Sequence, residues 1–222
     1  MYKIDQRTRQ VLIKMIEKPI IPQRNLTGQL NLSRVQVDYV ITKINESLSN
    51  EGLPPVYFDG NNYHFSEASR LFFVDFFSSD HVYRYYEMDI EERKKYIYLM
   101  LFYHYEEYLS VNHFLGVLDI GKTTFINDLK KVEKELESLD IQIKYNRKKG
   151  YYLAGNESVL RYQLMKMVLE DLRSDNGSFL WDYFLFNEGT IQKEKVFRQI
   201  AAELEHYSIV LVENRLLEFS YM

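Results

Sequence analysis

Gly116 to Thr123 could handle phosphate. The run Gly-Val-Leu-Asp-Ile-Gly-Lys-Thr fits G-x-x-x-x-G-K-[ST] at each fixed position. In a phosphate loop, successive backbone N–H groups point at the anion and the lysine reaches the terminal phosphates. The same letters also support a different chemistry. Read as a helix-turn-helix, Ser110–Leu118 is a first helix, Asp119–Gly121 a turn, and Lys122 opens a second helix. The exposed face of that second helix would then carry Lys122, Thr123, Thr124, Asn127, Lys130, Lys131 and Lys134. Polar side chains at the start of such a helix reach base edges, and the later lysines reach backbone phosphate.

The flanks favour the helices. A phosphate loop follows a buried parallel strand, but Val111-Asn112-His113-Phe114-Leu115 would put two polar residues inside it. Leu118 and Ile120 fall within the supposed loop, where a helix-turn-helix needs apolar residues to pack its helices together. Phe125, Leu129, Val132, Leu136 and Leu139 then follow at a 4-3-4-3 spacing, one stripe of a helix. Nucleotide binding through Gly116–Thr123 stays as an alternative, as does a protein-interaction scaffold built from the same helices.

An earlier stretch repeats the pattern. Shifting residues 23–44 onto 111–132 pairs Leu26 with Phe114, Leu30 with Leu118, Leu32 with Ile120, Val37 with Phe125 and Ile41 with Leu129. The first copy has Leu-Ser-Arg where the second has Ile-Gly-Lys, so the repeated feature is helix packing and not a phosphate motif. Its candidate DNA contacts are Gln23, Arg24, Ser33, Arg34, Gln36 and Lys43. Asp38 and Glu46 dilute that charge, and DNA contact and protein packing both remain open for this copy.

The chain of 222 residues has 46% apolar residues, 19 Tyr, 14 Phe and no cysteine, which excludes disulfides and thiolate metal sites. No apolar run reaches the roughly 20 residues of a membrane span, and the charged start is no signal peptide. A cytoplasmic protein without cofactor is expected. The formal net charge of −4 is unevenly spread: residues 120–149 carry three net positive charges, residues 51–92 seven negative ones. A local basic face, not the total, decides where a polyanion docks.

Periodicity predicts helices over Gln6–Lys18, Arg34–Asn50 (after Ser33 as N-cap), Ser69–Phe77, a stretch after Asp89 burying Ile97, Met100, Leu101, Tyr105 and Tyr108, and Ser158–Arg173. Short aromatic strands around Gly60-Asn61-Asn62 form one hairpin. Gln142–Tyr145 and Tyr151–Leu153 form another, whose tip carries Arg147, Lys148 and Lys149. Trp181 lies in an aromatic piece between Gly177 and Gly189, and a further helix from Thr190 would bury Phe197, Ile200, Ala201 and Leu204. The five histidines are scattered, without metal-ligand spacing.

Gly121–Lys131 with the hairpin closing on Lys149-Gly150-Tyr151-Tyr152-Leu153 resembles the winged helix-turn-helix of bacterial phosphotransferase-linked regulators of the BglG and mannitol-operon type, related to Mga-type regulators. Asn45-Glu46-Ser47-Leu48 with Gly52-Leu53-Pro54-Pro55, and the helix start after Asn156-Glu157, are similar to that family too. Members usually have a small residue in place of Leu115 and glycine in place of Asp119, which predicts a slightly rearranged turn here.

The resemblance implies a mainly α protein with small β-hairpin wings. Winged helix-turn-helix domains would span 1–66 and 89–155, with an aromatic helical linker at 67–88 packed between them. A helical phosphotransferase regulation domain would begin at 156–222 and be cut off within a helix, making the chain an N-terminal fragment. It also implies a homodimeric regulator of a carbohydrate-uptake operon that binds double-stranded DNA, is not an enzyme, and meets phosphocarrier proteins through the missing C-terminal part. The helical start favours DNA over RNA.

Overall fold

The computed structural model describes residues 3–174 and 177–188. The chain forms two compact units, 1–89 and 90–222.

The first unit starts with α1 (Gln6–Glu17). Asp5 caps it by accepting from the Thr8 backbone N–H at 2.8 Å and from the Thr8 hydroxyl at 2.7 Å. Lys18 leaves the helical region ahead of Pro19 and ends the helix. β1 (Ile20–Pro22) leads into α2 (Gln23–Leu30) and then α3 (Arg34–Asn50). Val37, Ile44 and Leu48 of α3 pack with Leu26 of α2 and with Val11, Leu12 and Met15 of α1 in the core. β2 (Tyr57–Phe58) and β3 (Asn62–His64) make the expected hairpin, and β1 adds to it as a third antiparallel strand in the order β1-β3-β2. The unit continues through α4 (Glu67–Ser78) and α5 (His81–Arg84). Ile4 closes it by exchanging backbone hydrogen bonds with Tyr85 and Glu87.

The second unit repeats the plan. It runs α6 (Ile90–Tyr103), α7 (Val111–Leu118), α8 (Lys122–Glu137), β4 (Gln142–Asn146), β5 (Gly150–Ala154), α9 (Glu157–Leu172) and α10 (Phe179–Glu188). α2 and α7 start at 23 and 111, α3 and α8 at 34 and 122, a shift of 88 in both cases. The joints repeat as well. Asn31 and Asp119, 88 apart, are the left-handed C-caps of α2 and α7, with φ of 51° and 49°. Asp119 therefore adopts the conformation a glycine would supply, and the turn to α8 stays as short as that from α2 to α3.

α6 buries Ile97, Met100 and Leu101 as expected, but it ends at Tyr103, and Tyr105 and Tyr108 are exposed in the following loop. The α9 stripe buries Leu164, Met167 and Val168, while Leu160 and Leu172 are only half-buried; the last turn buries Asp171, ion-paired with Lys95 of α6. Trp181, Tyr183 and Phe184 of α10 are buried, with Phe184 against Tyr96 at 5.2 Å between ring centres. The helix expected from Thr190 lies outside the described residues. Among the described residues no helix is long and apolar enough to cross a membrane.

Candidate nucleic-acid interface

In the second unit, α7 and α8 are locked by rings. Phe114 stacks on Phe125 at 4.8 Å, and Tyr151 of β5 sets its edge against both at 6.1 Å. Behind α8, Arg93 Nε donates to the buried Asp128 at 2.7 Å, and Lys94 bridges to Glu135 at 2.5 Å, so α6 holds the helix on its inner side. The outer side is left to solvent. Lys122, Thr123, Thr124, Asn127, Lys130, Lys131 and Lys134 are all exposed. From Lys122 to Lys134 the face runs ~18 Å along the axis, about one groove crossing. Gly121, the N-cap, offers no side-chain cap to the first turn, and Thr123 and Thr124 beside Lys122 are exposed.

The β4–β5 tip is equally organised. The Asn146 side-chain oxygen accepts from the backbone N–H groups of Lys148 at 2.9 Å and Lys149 at 2.7 Å, which fixes the turn with Arg147, Lys148 and Lys149 exposed. Gly150, at φ 68°, lets the hairpin base lie against Leu109, whose carbonyl accepts from Tyr151 N–H at 2.9 Å. An open cleft of about 350 Å³ between α7, α8 and the hairpin is lined by Ser110, Asn112, Lys122, Ile126, Tyr145 and Tyr151. Asn112 and Tyr145, which the sequence did not single out, line this cleft and are exposed. The available signal was the period of two along β4, which puts Tyr145 on the face of Tyr151. Burial, followed by neighbouring Tyr145, pushes the Tyr151 hydroxyl up, so it stays a neutral donor.

The first unit treats its candidates differently. Ser33 and Gln36 cap α3 reciprocally: Ser33 Oγ accepts from Gln36 N–H at 3.3 Å and Gln36 Oε1 from Ser33 N–H at 2.8 Å. Gln23 Nε2 donates to the Tyr63 hydroxyl at 2.9 Å, and that hydroxyl donates to Asp38 at 2.6 Å. Burial and then the Asp38 bond push Tyr63 up to about 12. Lys43 is bound to Asp5 at 3.2 Å; although partly desolvated, it is held above the usual lysine range by that carboxylate. Arg34 lies 3.8 Å from Asp38, and Arg24 is exposed. Of the histidines, His64 meets Asp59 at 2.7 Å, His104 meets Glu107 at 3.1 Å, and His113 accepts from Ser110 N–H.

Residues 75–168 match the family model of the Mga helix-turn-helix domain. That stretch contains α7, α8 and the basic hairpin whole, and it supports a DNA-binding regulator of the Mga type. No curated protein matches the chain. The phosphate-loop alternative meets a helix, α7, where it needs a strand, and Gly116 lies inside that helix.

Proposed function

We propose that the chain is a sequence-specific DNA-binding transcription regulator with winged helix-turn-helix domains at 1–66 and 89–155. In this reading α8 enters the major groove, with Thr123, Thr124 and Asn127 facing base edges. Lys130, Lys131, Lys134 and the β4–β5 tip hold backbone phosphate. One observation carries the reading: from Lys122 to Lys134 the exposed residues of α8 are four lysines, two threonines and an asparagine, with exposed acids only beyond them at Glu135 and Glu137, beside a hairpin tip with three more cations. A solvated helix face without a polyanion partner gains nothing from so much like charge.

The finer reading follows the resemblance. Residues 156–222 would begin a phosphotransferase regulation domain, and the target would be a carbohydrate-uptake operon in the cytoplasm, bound as a homodimer on paired half-sites. Phosphocarrier proteins would be its partners.

The experiment selects bound duplexes from a random pool, then measures variants on the selected and a scrambled duplex across a salt series. Lys148→Ala and Lys149→Ala should weaken both duplexes alike and flatten the salt slope by about 0.9 for each phosphate left without its cation. Asn127→Ala should cost about 1–3 kcal/mol on the selected duplex alone, with the slope unchanged, since an asparagine pairs bidentately with adenine without adding charge. Equal weakening of both duplexes by Asn127→Ala would mean that α8 does not read bases.

A further inference from the structure

Four residues that line the cleft of the second unit have counterparts of different chemistry in the first. In the first unit Gln23, Arg34, Asp38 and Tyr63 form one internal chain. Gln23 donates to the Tyr63 hydroxyl, that hydroxyl donates to Asp38, and Arg34 lies 3.8 Å from the same carboxylate. The shift of 88 turns these four into Val111, Lys122, Ile126 and Tyr151. All four line the open cleft of about 350 Å³ between α7, α8 and the hairpin. Val111 and Ile126 stand where Gln23 and Asp38 satisfied the tyrosine and the cation. Among the described residues, the Tyr151 hydroxyl and the Asn112 side chain have no hydrogen-bond partner, and Lys122 has no ion pair.

We propose that this cleft seats one sugar-phosphate unit of the DNA backbone, its phosphate held by Lys122, Asn112 and the Tyr151 hydroxyl and its deoxyribose packed on Tyr145. The lining contains a cation and neutral donors but no acid, which suits an anion. The Tyr151 hydroxyl stays protonated and so remains a donor. Val111, Ile126 and the Tyr145 ring supply apolar surface for a sugar. The volume lies at the small end of the roughly 300–1,000 Å³ of ligand sites, room for one such unit. The cleft is open and lies between α8 and the basic hairpin, so a strand held by both passes over it. The first unit has no equivalent seat, because Asp38 already takes the tyrosine proton and repels phosphate. The seat rests on the DNA-regulator reading for its ligand, and it adds Asn112, Tyr145 and Tyr151 to the groups that position the duplex.

The test measures wild type and Tyr151→Phe on duplexes in which one backbone phosphate at a time is replaced by a neutral methylphosphonate. Tyr151→Phe should weaken selected and scrambled duplexes alike by about tenfold, since a phosphate contact carries no sequence information. Its salt slope and melting temperature should stay as in wild type, because it removes no charge and keeps the ring against Phe114 and Phe125. One methylphosphonate position should weaken wild type but cost Tyr151→Phe almost nothing more, the mark of a shared contact. Lys122→Met should lose sensitivity at the same position and lower the salt slope by about 0.9. Ile126→Asp, which installs the acid of the first unit, should weaken binding more than Tyr151→Phe does. Equal sensitivity of wild type and Tyr151→Phe at every position would overturn the seat. So would a rise in melting temperature with inorganic phosphate over chloride at matched ionic strength that Tyr151→Phe abolishes, which would assign the cleft to a free phosphate. A chain that binds no duplex fails the DNA reading and the seat together; one that binds duplexes without this coupling fails the seat alone.

Discussion

A Cβ at Gly150 would collide with the Leu109 backbone, coming within 2.6 Å of its carbonyl carbon, and φ there is 68°. Both facts make glycine obligatory at the base of the basic hairpin. Gly150→Ala should cost about 3 kcal/mol or more in the denaturant midpoint, since backbone cannot move aside as a side-chain end can. Gly116, the first glycine of the phosphate-loop pattern, is the opposite case: it lies within α7 with nothing inside 4 Å of a built Cβ. Gly116→Ala should therefore stabilise by about 0.5–1 kcal/mol, the helix propensity difference. In a phosphate loop the same change would crowd the anion. Neither ATP nor GTP with magnesium should shift the melting temperature; a saturable shift lost in Lys122→Ala would restore the nucleotide reading.

The helices and turns of the repeat were legible because periodicity and caps agree: Ser33, Asn156 and the Asp119–Gly121 turn mark helix ends in the letters themselves. β1 was not legible. Ile20-Ile21-Pro22 is too short for a period, and its proline is tolerated because the strand is an edge. The end of α6 was hidden for a different reason, since Tyr105 and Tyr108 continue an apolar-looking stripe that the backbone has already left. In the candidate interface the basic face was legible from charge alone. That Gln23 and Lys43 are engaged within the fold needed the three-dimensional partners Tyr63 and Asp5. The aromatic run of α4 also acquires a definite place: Phe73 packs on Phe65 at 6.1 Å, Phe76 is buried, and the Ser69 hydroxyl donates to Pro54 at 2.6 Å within the first unit. Limited proteolysis should spare 66–88, and Phe73→Ala should cost about 3–5 kcal/mol. Rapid cleavage in that stretch would instead mark a loose tether.

Across the molecule, acid should act in opposite directions on two carboxylates, half-buried Asp5 in the first unit and buried Asp171 in the second. Burial pushes Asp5 up, but hydrogen bonds from Thr8 and the charge of Lys43 outweigh it and hold the carboxyl below its usual value of 3.8. Burial raises Asp171 above 3.8, with Lys95 opposing only in part. The linkage signs follow. The stabilising contribution of Asp5 is present above 3.8 and is lost as pH falls through its lowered folded value. The contribution of Asp171 is present below 3.8 and is lost as pH rises through its raised folded value, where the buried group must ionise. Asp5→Asn should thus destabilise at neutral pH, with the deficit shrinking toward zero as pH falls below 3.8. Asp171→Asn should do the reverse, stabilising at neutral pH by removing a charge the fold holds at a cost, and matching wild type in acid. Unfolding curves for both variants against wild type between about pH 7 and pH 3 measure this directly. Circular dichroism follows the whole chain, and the single tryptophan, Trp181, buried in the second unit, reports on the unit that holds Asp171. Variant-minus-wild-type differences of the same sign at neutral pH would show that the Lys95 pair outweighs the burial of Asp171.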